Sequence, residues 1–342
     1  MNNPRQPQLD VIHELPRGFL GATCATLHSV LTGPTLIHLP GKRAEPLFVS
    51  ILLHGNEDVG LLAVQRLLRN YEDRTLPRAL SIFVGNVAAA RFGARHLNDQ
   101  PDYNRIWPGS ELPLTQEHAI MAEVVEHMRS RGVFASVDLH NNTGINPHYA
   151  CINHITNRFL QLAAIFSRTV VFFQRPRGVQ AMAFAELCPA VTCECGKVGE
   201  ESGVTHAMDY IEACLHLAAI SDHPVRTNDV HVFHTVATVK VPEDIGFGFG
   251  SAVAPLCFAD NIDHWNFQEL PPGALLARRR GAGARLEVWD ERGLEAGEQF
   301  LEVTDSEIRL RRSFMPAMLT RDAQVIRQDC LCYLMERYPL PQ

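Results

Sequence analysis

Four short polar clusters interrupt otherwise apolar stretches of this 342-residue chain, and three of them follow directly on strand-like runs. The first, His54-Gly55-Asn56-Glu57, comes after the apolar run Leu47 to Leu53. An imidazole and a carboxylate three residues apart, where a chain turns from strand towards helix, can face one point, and both are good zinc donors. The second, Asp138-Leu139-His140, closes the run that begins at Val133. Strand alternation puts Asp138 and His140 on one face. His140 then offers a third ligand, and Asp138 can orient a ligating imidazole from behind. A catalytic zinc typically takes three protein ligands plus water. The third cluster, Thr192-Cys193-Glu194-Cys195-Gly196, carries a glutamate that is costly to bury unless it is paired or functional. Beside a metal, Glu194 can act as general base on water and then return the proton to a leaving amine. The fourth is Arg91 to Arg105, RFGARHLNDQPDYNR. Its arginines offer a planar fork to a carboxylate and a fixed charge to polarise a carbonyl.

Each cluster also has a purely structural reading. HxxE is a common spacing, and Glu57 at a helix start favours the helix dipole. Asp138 and His140 can be a satisfied pair at a sheet rim, Glu194 can pair with a basic neighbour, and 91–105 can be a solvated loop. Two strand ends offering His/Glu and Asp/His tip the balance towards a metal, because ligands of open α/β sheets bind outside the carboxyl ends of the strands. Glu200 and Glu201 are weaker candidates, since acids are expected in a first helical turn. Of the remaining histidines, His148 is retained as a cleft candidate because it closely follows the Asp138–His140 strand.

The elements that must position these residues alternate. Strands are expected at Leu47–Leu53, Ala79–Val84, Val133–Leu139, Val170–Phe173 and Ala190–Cys193. Helices are expected from Val59 to Leu68, after Thr115 up to Gly132, from Thr156 to Ser167, and along Val204, Met208, Ile211 and Leu215. This pattern predicts an α/β fold with a mostly parallel or mixed sheet flanked by helices. Beyond Ser221-Asp-His-Pro224 the texture becomes β-branched and rich in Gly and Pro, with strands at Val230–Val241 and Arg285–Trp289. A catalytic domain over 1–224 and a smaller β-rich C-terminal domain over 225–342 are therefore expected.

Composition narrows the function. A formal net charge of -7 argues against nucleic acid, and Arg278-Arg279-Arg280 reads as a solvated loop. The nine cysteines are odd in number and fit no disulfide framework, so Cys193, Cys195, Cys330 and Cys332 read as buried strand thiols. The first residues lack the apolar core of a signal peptide and no run has membrane-spanning length, so a cytoplasmic protein with no membrane partner is expected. There is no GxSxG elbow and no GxxxxGK[ST] loop. Gly246-Phe-Gly248-Phe-Gly250 reads as a flexible turn.

Taken in order, HGNE at 54–57, Arg95 with Asp102-Tyr-Asn104-Arg105, DLHNNTG at 138–144 and ECG at 194–196 resemble the aspartoacylase and succinylglutamate desuccinylase family, relatives of the zinc carboxypeptidases. His264-Trp265, Leu270-Pro-Pro-Gly273 and Phe314-Met-Pro-Ala317 are loosely similar to pieces of that family's β-rich tail. The resemblance implies one Zn2+ per chain on His54, Glu57 and His140, with Glu194 as the catalytic carboxylate. It implies Arg95 as the residue polarising the scissile carbonyl, and Asn104 with Arg105 as the grip on a substrate carboxylate. The implied reaction is hydrolysis of an amide in an N-acyl amino acid or a similar small carboxylate-bearing molecule. A metallocarboxypeptidase is the alternative enzyme, and a non-catalytic zinc or small-acid binding protein is the alternative outside catalysis. The short chain between the His54/Glu57 pair and His140 favours the deacylase, and Glu194 argues against a pure binder. Three departures stand out. The segment from Arg95 to Asp102 is slightly longer than in the family. Met182-Ala-Phe184-Ala stands where aspartoacylase-like members have an arginine, with Arg175 and Arg177 upstream. Val325-Ile326 stands where they carry a tyrosine. The last two argue against aspartate-type or succinyl-type specificity. Self-association is left open.

Overall fold

The computed structural model describes residues 8–226 and 228–340. In chain order the elements up to residue 216 are β1 (Asp10–Ile12), β2 (Thr35–Leu39), β3 (Leu47–Ile51), α1 (Val59–Arg69), β4 (Leu80–Val84), α2 (Val87–Ala90), α3 (Gln116–Ser130) and β5 (Ala135–Asn142). They continue with β6 (Tyr149–Ile152), α4 (Asn157–Phe166), β7 (Thr169–Phe172), α5 (Gln180–Ala185), β8 (Ala190–Lys197) and α6 (Glu201–His216). Two units divide the chain: the residues up to Asn141 with His148–Val170 and Pro176–Val230, and Asn142–Pro147 with Val171–Arg175 and the residues from His231 on.

Among the strands up to residue 197 the order in the sheet is β1-β2-β4-β3-β5-β8-β6-β7. Strand β3 runs parallel to β4 and β5, whereas β2–β4 and β6–β8 are antiparallel, so the sheet is mixed. Every residue of β3 and β4 is buried, as a near-continuous apolar run requires of central strands covered on both faces. Helix α1 buries Leu61, Val64 and Leu68, and its Gly60 backbone lies against Ile51 and Leu139. Thr115 and His118 form a capping box on α3, and Gly132 follows its end at φ 63°. On β8, Cys193 lies against Tyr210 of α6. Alternation then sends Glu194 to the opposite face, where α5 packs on β8.

Two strands run further than the apolar runs suggested. Strand β5 extends to Asn142 and β8 to Lys197, so His140 and Glu194 lie inside strands and not beyond them. Both segments are buried up to the exposed Lys197, and the sheet ladder satisfies their backbone polar groups despite the polar side chains. All nine cysteines are free, with Cys193, Cys195, Cys330 and Cys332 buried.

The second unit contains β9 (His231–Lys240), β10 (Phe247–Phe249), β11 (Leu256–Phe258), β12 (Leu275–Arg279) and β13 (Glu287–Asp290). After these come α7 (Gly297–Phe300), β14 (Leu301–Val303), β15 (Glu307–Leu310), β16 (Met315–Ala317), α8 (Ala323–Gln328) and β17 (Cys332–Arg337). Strand β9 pairs antiparallel with β13 and β17, and β17 with β16. A separate five-stranded sheet has the order β10-β11-β12-β15-β14. The glycine-rich stretch read as a flexible turn is instead strand β10, pinned by the rings of Phe247 and Phe249 against Phe258. Likewise Arg278 and Arg279 belong to β12, because the buried Leu276 and Ala277 draw the segment into the sheet. Among the described residues no helix is long and apolar enough to cross a membrane.

Candidate metal centre

Just past β3, Leu52 takes a left-handed φ of 54°, an uncommon and strained conformation for a bulky side chain. The N–H groups of Gly85 and Asn86 donate to Ile51 O and Leu52 O at 3.0 and 2.6 Å, holding the bend. The chain then turns tightly, with Glu57 N–H donating to His54 O at 3.2 Å. Gly55 is required here by close approach: a Cβ would sit 2.2 Å from Ala90 N and 2.4 Å from Ala89 C. The turn brings His54 Nδ1 within 2.8 Å of Glu57 Oε1, while His140 Nδ1 reaches Glu57 Oε2 from β5 at 2.7 Å. All three residues are buried, and each offers a donor atom within 4.8 Å of the others.

Carboxylates also hold the far side of each ring. His54 Nε2 lies 3.1 Å from Asp102 Oδ1, and His140 Nε2 lies 2.7 Å from Asp138 Oδ2. Ser50, directly across from Asp138 in the β3–β5 register, donates its hydroxyl to Asp138 Oδ1 at 2.6 Å. Asp102 accepts from Arg95 Nε and Nη2 at 3.0 and 2.8 Å and from Asn104 N–H at 2.8 Å. Asn141 N–H donates to Glu57 Oε2 at 3.2 Å. Its side chain accepts from Val59 N–H at the start of α1 and donates to Gly196 O.

The electrostatics follow from this arrangement. Burial alone would raise Glu57, but His54 and His140 outweigh it and hold the carboxyl far below its usual range. Burial would also raise Asp102, yet Arg95, His54 and Arg105 keep it well below. Burial works to lower His140, and Asp138 and Glu57 overcome it, so the ring rises well above 6.5. Burial and Arg95 oppose the charge on His54, but Glu57 and Asp102 prevail and raise it. Glu194 behaves oppositely: burial lifts it from 4.5 to about 7, with His140 and His54 pulling down and Glu57 and Asp138 pushing up. Its Oε2 is buried and finds no partner among the described residues. Two imidazoles turned through Nδ1 to one point, each backed at Nε2 by a carboxylate, match how metal-ligating histidines are held. The donor set of two nitrogens and one carboxylate suits zinc and leaves a coordination position for water.

His54, Glu57, His140 and Asp138 thus meet, and Arg95 joins them through Asp102. Asn104 Nδ2 lies 3.2 Å from His140 Nε2, and Arg105 Nη1 donates to Asn104 O at 2.9 Å. His148 does not belong to this group. It stacks on His206 and Phe166 at 4.8 and 6.4 Å, on the face of α4 and α6, because its neighbour Tyr149 is the residue that pairs with Glu194. Arg177 is half-exposed beside Glu111, and Arg175 lies in the second unit near Gly293. Sequence reasoning gave no role to Ser50, Asp102, Asn141 or Gln180. A lone serine inside the apolar run 47–53 was a signal for Ser50, and none marked Gln180.

The model of the succinylglutamate desuccinylase/aspartoacylase catalytic domain matches residues 46–216. The chain belongs to this family. Membership places it among hydrolases that remove acyl groups from amino acids. Solved structures share the fold. One is the succinylglutamate desuccinylase from Chromobacterium violaceum, 17% identical, covering 87% of this chain and 86% of that one at a TM-score of 0.57. Murine aminoacylase 3 is 12% identical, covering 87% and 96% at 0.55. The product-bound ectoine utilization protein EutE from Ruegeria pomeroyi is 16% identical, covering 89% and 88% at 0.54. At such identities the likeness shows the fold of the family and nothing finer. No curated protein matches by sequence.

Proposed function

We propose that the chain is a zinc-dependent deacylase of N-acyl amino acids or similar small carboxylate-bearing amides, with catalysis in residues 1–224 and a β-rich domain over 225–342. The reading rests on one observation above all. Two buried imidazoles converge on Glu57, with the carboxylate of Glu194, its Oε2 without a partner among the described residues, near enough to interact with all three. His54, Glu57 and His140 would hold one zinc ion, with Asp138 and Asp102 fixing the two rings through their far nitrogens. When bound, zinc supplies a Lewis acid that makes water a better nucleophile near neutral pH.

The remaining roles belong to the chain. Asn104 and Arg105 grip the substrate carboxylate, and Arg95 draws electron density from the amide carbonyl. Glu194 takes a proton from the attacking water and delivers it to the amide nitrogen as the C–N bond breaks, leaving a carboxylate and an amine. A group set near 7 by burial suits both steps. Neither the missing arginine near Phe184 nor the missing late tyrosine favours aspartate-type or succinyl-type specificity.

The test is metal content by plasma mass spectrometry on wild type and His140→Ala, followed by assay of N-acyl amino acids against C-terminal dipeptides. One zinc per chain, lost in the variant, with turnover of the N-acyl amino acids, is the expected result. A folded wild type that takes up no zinc on incubation would sink the proposal. Turnover of the dipeptides alone would make the protein a carboxypeptidase.

A further inference from the structure

Asn104 and Arg105 sit in a loop, and a loop places a side chain only as well as its neighbours hold it. The neighbour here is the segment Gly178–Gln180. Gln180 N–H donates to Asn104 Oδ1 at 2.9 Å, which fixes the face of that carboxamide. The opposite end, Nδ2, is thereby turned to His140 Nε2 at 3.2 Å. That ring nitrogen keeps its proton and donates its N–H to Asp138 Oδ2 at 2.7 Å, so it has no lone pair left for Asn104. Asn104 Nδ2 is therefore a donor held beside the strand of Asp138 and His140, with no acceptor lone pair at His140 Nε2 to take its hydrogen.

Gly178 works on the next residue. Its carbonyl accepts Trp107 N–H at 2.9 Å, and its φ is +75°. A Cβ there would lie 2.2 Å from Arg105 O and 2.7 Å from Arg105 C, so the two backbones touch directly. Ser110 donates its hydroxyl to the same Arg105 O at 2.7 Å. The segment is tied in turn to β5, since Gln180 Nε2 donates to Ser136 Oγ at 2.7 Å. Ser136 shares the strand face of Asp138 and His140. Gln180 is fully buried with its Oε1 unpartnered, a cost that an apolar residue of similar size would avoid.

We infer that Gly178–Gln180 is a positioning element that locks Asn104 and Arg105 in register with the metal strand, and thereby sets the affinity for the substrate's carboxylate. The inference rests on the roles proposed above for Asn104 and Arg105. It is tested with Gly178→Ala, Gln180→Leu and Ser136→Ala in the full-length zinc-loaded protein. Amide hydrogen exchange of the 103–110 peptide is read beside kinetics on an N-acetyl amino acid and on its C-terminal amide, which lacks the carboxylate. Zinc should stay at one per chain, and exchange in 103–110 should quicken. KM for the free acid should rise roughly tenfold in Gly178→Ala and roughly threefold in Gln180→Leu, with kcat little changed and the amide unaffected. Ser136→Ala combined with Gln180→Leu should add little to either alone. Unchanged exchange and KM, or equal losses on acid and amide, would overturn the inference. If Gly178→Ala does not fold, Gln180→Leu carries the same test. If wild type hydrolyses no N-acyl amino acid, the functional reading fails, and the exchange data decide the positioning role separately.

Discussion

Under the proposed mechanism, the residue that separates a metal site from a working enzyme is Glu194. Its folded value of about 7, set by burial, lies above the ordinary 4.5. A carboxyl raised in this way keeps its proton in the fold while the unfolded chain has lost it. It therefore weakens the zinc-free protein progressively as pH rises from about 4.5 to 7. Glu194→Gln removes that penalty. In zinc-free protein it should raise the melting temperature at pH 8 and leave it unchanged at pH 4, with a ceiling of about 3 kcal/mol. The same variant should lose turnover and keep its zinc; surviving activity would show that another group moves the proton. The two histidines titrate the other way. Their charged forms are favoured in the zinc-free fold by Glu57, Asp102 and Asp138, a contribution present below pH 6.5 and lost as pH climbs through their raised values. Zinc uptake at pH 7 should thus expel protons, and zinc affinity should grow with pH. Calorimetric titration in two buffers of different ionisation enthalpy reads the release directly, and a buffer-independent heat would contradict it.

At the scale of elements, the site depends on how β3 is turned into α1. Gly55 lies backbone to backbone with Ala89 and Ala90, where no side chain can move aside. Gly55→Ala should therefore displace His54 from Glu57, lowering stability by about 1–3 kcal/mol and zinc affinity by roughly tenfold or more. Urea unfolding and a competitive zinc chelator check both, and a variant with wild-type affinity would show that the turn tolerates a methyl group. This same turn explains what could be read in advance. Strands β3 and β4 and helices α1 and α3 announce themselves by local apolar spacing and caps, and HxxE with DxH follow from strand and turn periodicity alone. Ser50, Asp102 and Gln180 act across 88, 48 and 44 residues of chain respectively, and no local pattern encodes such pairings. The sequence leaves His148 as a cleft candidate for a related reason: which face it takes depends on the β6–β8 register, and only the pairing of Tyr149 with Glu194 reveals it. Short β6 and α5, with four and six residues, are too brief for periodicity to mark them.

Across the whole molecule, every residue assigned to the metal, the proton transfer and the carboxylate grip lies in the first unit. The second unit has a hydrophobic core of its own, built from residues such as Val239, Leu256, Leu276, Val288, Ile308 and Phe314. Phe258 is central to it, 1% exposed and ringed by Phe247 and Phe249 at 5.8 and 6.0 Å. Truncating a buried phenylalanine removes its transfer energy and leaves a cavity that rigid strands on either side fill poorly. Phe258→Ala should accordingly cost about 3–5 kcal/mol. Because none of the three proposed ligands lies in this unit, the fraction that remains folded should still carry one zinc per chain, and its zinc affinity should match wild type. Urea unfolding gives the first quantity, and metal analysis of the folded fraction after size exclusion gives the second. Folded Phe258→Ala protein without zinc would mean that the centre draws on the second unit, and that His54, Glu57 and His140 do not suffice to hold the metal.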